Sequence, residues 1–179
     1  LPWQGPPAHP SSRHDGLMAT RSLSDSQLVD LLSVLPSSDS VELKLTVPES
    51  QQRSTVTGLG MDPLEAQIRQ VVFFDTPDLA LDRQGVVVRA RRVQGKGDDC
   101  VVKLRPVVPS EISDDVRSAK GFTVEVDALP GGFVCSGTMK RALDADGPAV
   151  KSVLAGETRL SELFGKRQRA FFSEHAPSG

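Results

Sequence analysis

Apolar and polar side chains alternate at every second position in four separate runs, and each run predicts a β-strand with one face turned inward. In 41–47, Val41, Leu43, Leu45 and Val47 face one way and Glu42, Lys44 and Thr46 the other. In 86–93, Val86, Val88 and Ala90 oppose Arg89 and Arg91; in 100–105, Cys100, Val102 and Leu104 oppose Lys103 and Arg105. In 122–128, Phe122, Val124 and Val126 oppose Glu125 and Asp127. A fifth run, 68–74, is apolar on both faces and has no clear parity. Gly95-Lys96-Gly97-Asp98 joins two of these strands and predicts an antiparallel hairpin.

Helical spacing appears on either side of the strands. Leu28, Leu31, Leu32 and Leu35 recur on one face, after Ser24 and Gln27 in capping-box spacing and before Pro36. Pro148 and Gly156 bracket a short helix around Val150, Val153 and Leu154. Leu160, Leu163, Phe164 and Phe171 predict a last helix capped by Ser161, with Lys166, Arg167 and Arg169 on its surface. No internal repeat is visible. The fold class is α+β, with strands dominating the middle.

Length adds that 179 residues suit one domain with a real core. Residues 1–17 hold four prolines among polar residues and are expected to be a disordered tail; Met18-Ala-Thr reads as a natural start, so the domain is placed at 18–179. No apolar run approaches the ~20 residues that span a bilayer. The N-terminus lacks a signal-peptide pattern, so a cytoplasmic location without a membrane partner is expected. Cys100 and Cys135 are too few for a disulfide scaffold, and the absence of Asn excludes N-glycosylation.

Net charge is −2, which by itself predicts no polyanion partner, but the local balance differs. From Arg83 to Arg105 the chain has seven basic residues and two acidic ones, Asp98 and Asp99. Arg89, Arg91, Lys103 and Arg105 share the polar face of one hairpin. Like charges set across neighbouring strands repel, and a multiply charged anion would relieve that repulsion. Glu42, Glu125 and Asp127 have matching parity on other strands and are oxygen donors of the kind hard cations take. The competing reading is a half-solvated antiparallel sheet, which shows the same alternation with no ligand at all.

Other chemistries find less support. No GxxxxGK[ST] occurs, so there is no P-loop. His9, His14 and His175 lie near the ends and cannot form a metal triad. No aromatic residue stands on the basic faces to stack bases, so a nucleic-acid partner is not expected. Cys100 falls on an apolar parity and reads as a buried thiol, Cys135 lies in a glycine-rich loop, and Asp75 reads as the cap of the Asp75-Thr76-Pro77 turn.

The run Phe73-Phe74-Asp75-Thr76-Pro77-Asp78-Leu79 resembles the FDTPDL signature of CYTH domains, also called triphosphate tunnel metalloenzymes. Leu81, Gly85 and Val88-Arg89-Ala90-Arg91 follow in that family's order, then Val102-Lys103-Leu104-Arg105-Pro106 and Val124-Glu125-Val126-Asp127. Val41-Glu42-Leu43-Lys44 resembles the second half of the ExExK motif that opens such domains. The resemblance covers residues 40 to 127. It implies an antiparallel β-tunnel, a barrel with helices packed outside, of which about five of eight strands are expected here, the C-terminal ones missing. It also implies that Lys44, Arg89, Arg91, Lys103 and Arg105 hold phosphates, and that Glu42, Glu125 and Asp127 bind Mg²⁺ or Mn²⁺. The implied function is a divalent-metal-dependent triphosphate hydrolase or adenylyl cyclase acting on a nucleotide, thiamine triphosphate or tripolyphosphate. The runner-up is a non-catalytic triphosphate or polyphosphate-binding module or an inactive remnant. Its support is that Ser40 stands where the family's first motif Glu is expected and that the acidic strand near the family's C-terminal end is missing.

Overall fold

A computed structural model describes residues 23–144 and 149–177; the tail expected at 1–17 lies outside the described residues. The alternating runs form strands β1 Ser40–Leu43, β2 Arg69–Phe74, β3 Val86–Val93, β4 Asp99–Leu104 and β5 Phe122–Leu129, joined by β6 Gly132–Ala142. The helices are α1 Asp25–Val34, α2 Gln52–Gly58, α3 Ala80–Arg83, α4 Asp114–Arg117, α5 Val150–Leu154 and α6 Lys166–His175. The strands make one sheet in the order β1-β5-β6-β4-β3-β2. Every pairing is antiparallel except β1 with β5, which is parallel, so the sheet is mixed where a wholly antiparallel one was expected. It is open, with β1 and β2 as its edges.

The sheet has an apolar face and a charged face. Val86, Val88, Ala90, Cys100, Val102, Leu104, Phe122, Val124 and Met139 are buried together with Val150 of α5, Leu163 and Phe164, and Phe171 of α6. Phe171 meets Phe122 edge-on, ring centroids 5.6 Å apart, a geometry that adds to the area both rings bury. Gly137 in mid-β6 makes room for this contact: a Cβ there would lie 3.1 Å from the Phe122 ring.

Gln168 ties α6 to the strands. Its side chain is buried; Nε2 donates to the carbonyls of Cys100 (3.2 Å) and Met139 (3.0 Å), and Oε1 accepts from the Gly165 amide (3.1 Å). The Cys100 thiol donates to the Leu163 carbonyl at 3.1 Å. Burial pushes this thiol up, partly offset by its bond to Gln168, so it stays protonated as a donor.

Three expectations change. The strand expected over 41–47 stops at Leu43, because β5 turns away at Pro130 and the Lys44 amide, bonded to the Ala128 carbonyl at 2.9 Å, is the last to find a partner. The glycine-rich loop around Cys135 is instead the longest strand, with Cys135 buried in it. The last helix is two elements, a turn of 3₁₀ helix over Leu160–Leu163 and then α6, so Ser161 is not its cap. The first helix has its Ser24–Gln27 capping box but buries no residue.

Replacing Gln168 by Leu removes three hydrogen bonds from a buried site and leaves the Gly165 amide without its side-chain acceptor. Chemical denaturation should show a loss of ~2–4 kcal/mol, since each hydrogen bond contributes ~0.5–1.5 kcal/mol and an orphaned buried polar group costs ~1–3 kcal/mol.

Candidate functional site

Because alternate residues of β3, β4, β5 and β6 turn toward the helices, the residues between them emerge on the opposite side. The register sets Arg91 of β3 beside Asp99 of β4, and Arg89 beside Val101, which in turn neighbours Lys140 of β6. Lys103 and Thr123 flank Thr138, Glu125 lies between Ser136 and Ser40, and Glu42 sits beside Asp127. All eight residues expected to bind phosphate or metal therefore share one face.

Asp127 is the centre of this face. It is 0% exposed. Its carboxylate lies 2.9 Å from Lys44 Nζ, 3.6 Å from Lys103 Nζ and 4.0 Å from Arg105 Nη1, but none of these contacts has good hydrogen-bond geometry. Burial alone would raise its pKa; the Lys44 contact and the charges of Lys103, Lys44 and Arg105 outweigh that and hold it below the ordinary carboxylate value. Lys44 is the reciprocal case: burial works against its charge, and Asp127 and Glu42 more than compensate, raising it. Glu42 contributes at 3.4 Å.

Lys103 reaches over the central strand to Glu125, 3.1 Å away, and the Thr138 hydroxyl donates to the same carboxylate oxygen at 3.2 Å. This crossing requires small side chains on β6, and Ser136 and Thr138 provide them. Arg105 follows β4 and is placed by Gly85: the Arg105 amide donates to the Gly85 carbonyl at 2.8 Å. A Cβ on Gly85, at φ +70°, would sit 1.9 Å from the Arg105 carbonyl oxygen, so only glycine fits there.

At the other end, Arg91 Nε donates to Asp99 at 3.0 Å, and Lys140 Nζ stands 3.7 Å from the same carboxylate. Asp99 and Lys140 are members of the face that the sequence reading did not assign. Asp99 was visible as one of two acids within the basic run, whereas Lys140 belongs to the strand taken for a loop. Arg89 differs from its neighbours: its Nε is buried with no acceptor, and among the described residues it forms no ion pair.

Asp75 lies off this face. Its carboxylate accepts from the amides of Thr76 (2.7 Å), Leu81 (2.9 Å) and Asp82 (3.0 Å), capping the turn into α3. Desolvation works against its charge, but the Leu81, Asp82 and Thr76 amides outweigh it and lower its pKa.

The carboxylates as placed do not fit a divalent cation. Glu42 and Asp127 converge on the ammonium of Lys44, and Glu125 and Asp127 on that of Lys103, so a lysine holds each position where two acids meet. Among the described residues no group of three acidic, histidine or cysteine side chains converges as metal ligands would. No helix among them is long and apolar enough to cross a membrane. What the fold and site define is an open mixed sheet, helix-covered on one side and carrying a network of ion pairs on the other. No protein-family model, curated protein or solved structure matches the chain.

The network sets a pH dependence whose sign follows from the two shifts. Asp127, depressed in the fold, contributes stability above its unfolded value of ~3.9 that is lost as pH falls through the folded value. Lys44, raised in the fold, contributes below ~10.4, and that share is lost as pH rises through its folded value. Asp127→Asn should lower neutral-pH stability by ~3 kcal/mol, because it leaves the clustered cations without their buried counter-charge. Its stability should also fall less steeply than the wild type's in acid, as measured by denaturation at a series of pH values.

Proposed function

We propose that this chain binds the triphosphate tail of a small molecule, or inorganic tripolyphosphate, on the charged face, and holds the anion without turning it over. The observation that carries this reading is Arg89, whose buried Nε has no acceptor on a cation-rich face. A buried donor without a partner costs ~1–3 kcal/mol, and a phosphate oxygen would remove that cost. Six cations (Lys44, Arg89, Arg91, Lys103, Arg105, Lys140) face four carboxylates (Glu42, Asp99, Glu125, Asp127), so the face keeps a positive excess for an anion. The resemblance to CYTH domains supports the same ligand class, with the open sheet as a section of such a tunnel.

Binding without turnover is favoured over hydrolysis or cyclisation for two reasons. A triphosphate transition state needs concentrated counter-charge, and here two lysine ammoniums stand where the carboxylates would hold Mg²⁺ or Mn²⁺. The sheet is also open, so water screens the field that a closed site would focus.

Titration calorimetry with tripolyphosphate at low salt tests the site. Arg89→Ala should weaken binding by ~1.5–3 kcal/mol, about 10- to 150-fold, as for a lost hydrogen bond to a charged group. Arg92→Ala should do little, since Arg92 points to the other side, where its Nη1 lies 3.2 Å from Gln70 Oε1. Equal losses at both positions would remove the parity on which the site rests. Release of phosphate from tripolyphosphate or of product from ATP, with Mg²⁺ or Mn²⁺, should stay at background; turnover would restore the hydrolase or cyclase reading.

A further inference from the structure

The two edges of the sheet are protected to different degrees. β1 is only four residues long, and Glu42 and Lys44 on and just beyond it put charge on that edge. β2 runs six residues, with no proline and no charge after Arg69, and its outer backbone groups have no partner strand among the described residues. On its charged-face side Phe73 is 65% exposed and Val71 42% exposed. An apolar strand of this length left open is a template for pairing with another strand.

We infer that β2 is the surface through which two copies of this chain associate, by antiparallel pairing of β2 with itself about a two-fold axis at Val72. The occupant is a second copy because the strand is complementary to itself in this register. With Val72 on the axis, Phe73 lies opposite Val71 of the second copy, and the two-fold axis repeats this contact, giving an apolar centre with Arg69 outside it at each end. Moving the axis to Val71 sets Arg69 opposite the apolar Phe73, and moving it to Phe73 sets Val71 opposite Asp75, so only the Val72 axis keeps charge out of the apolar centre. Phe73 and Val71 are also the cross-strand neighbours of Arg89 and Arg91, so the paired sheets would carry their charged faces on the same side. The inference rests on the edge alone and stands or falls independently of anion binding.

Sedimentation velocity and light scattering of the whole chain over a wide concentration range provide the test. The mass should rise from 19.2 kDa toward twice that value. Amides of 69–74 should exchange more slowly at high concentration than at low, a reading that needs no mutation. V71K and F73E alter exposed side chains, and circular dichroism should show both folded. Each alone should stay monomeric, because a charge then faces an apolar side chain at both symmetric positions. An equimolar mixture should dimerise again, since one of the two positions then pairs an ammonium with a carboxylate and the other keeps its Phe–Val contact. A wild-type mass of 19.2 kDa at every concentration overturns the proposal. So does a V71K variant that dimerises like the wild type, concentration-independent exchange in 69–74, or a mixture that fails to reassociate.

Discussion

A single buried carboxylate organises the charged side of this molecule. Asp127 sits at 0% exposure in β5, and a desolvated charge is tolerated only when cations approach closely from several directions. Lys44 arrives from just beyond the edge strand β1, Lys103 from β4, and Arg105 from the residue that follows β4. The same side chains that could grip an anion are thus engaged in holding three parts of the sheet together. Any ligand on this face competes with carboxylates already in place, and Arg89 enters that competition with no ion pair among the described residues.

The neutral side of the sheet supports this arrangement. Valines, Phe122 and Met139 pack beneath α5 and α6, and Gln168 of α6 bonds the backbone carbonyls of two neighbouring strands. A rigid apolar side lets the charged side carry repulsion and desolvation that a free sheet would not sustain. β6 serves both sides at once: Gly137 admits the Phe122 ring on one, while Ser136 and Thr138 leave headroom for the Lys103–Glu125 contact on the other.

Stability is distributed unevenly along the chain. No residue between 23 and 68 is buried, whereas the core is drawn from 86–171. The N-terminal stretch is attached by the short β1–β5 ladder, by Asp39 accepting from the Val124 amide at 2.7 Å and pairing with Arg117 at 3.1 Å, and by Gln27 donating to the Gly131 carbonyl at 3.2 Å. Attachment by a few polar contacts without apolar burial marks a segment that opens at low free-energy cost. The Lys44–Asp127 contact is the electrostatic part of that attachment, so the edge strand and the centre of the charged face are energetically coupled.

Alternation along single strands was legible because side-chain direction in a strand is a local, stereochemical matter: Arg89, Arg91, Lys103, Glu125 and Asp127 could be assigned to one face from parity alone. The Ser24–Gln27 cap and the Gly95–Asp98 hairpin were equally readable, being set by residues a few positions apart. β6 was not, since glycine, serine and threonine in mid-strand look like a loop until Phe122 and Lys103 are seen to require small neighbours. The parallel placement of β1 beside β5 was likewise invisible, because strand order depends on contacts about eighty residues apart along the chain. Sequence by itself therefore determined which side chains share a face. Only the tertiary structure decided which carboxylate neutralises which cation, because ion pairing depends on distances of 3 to 4 Å that register and side-chain reach impose across strands.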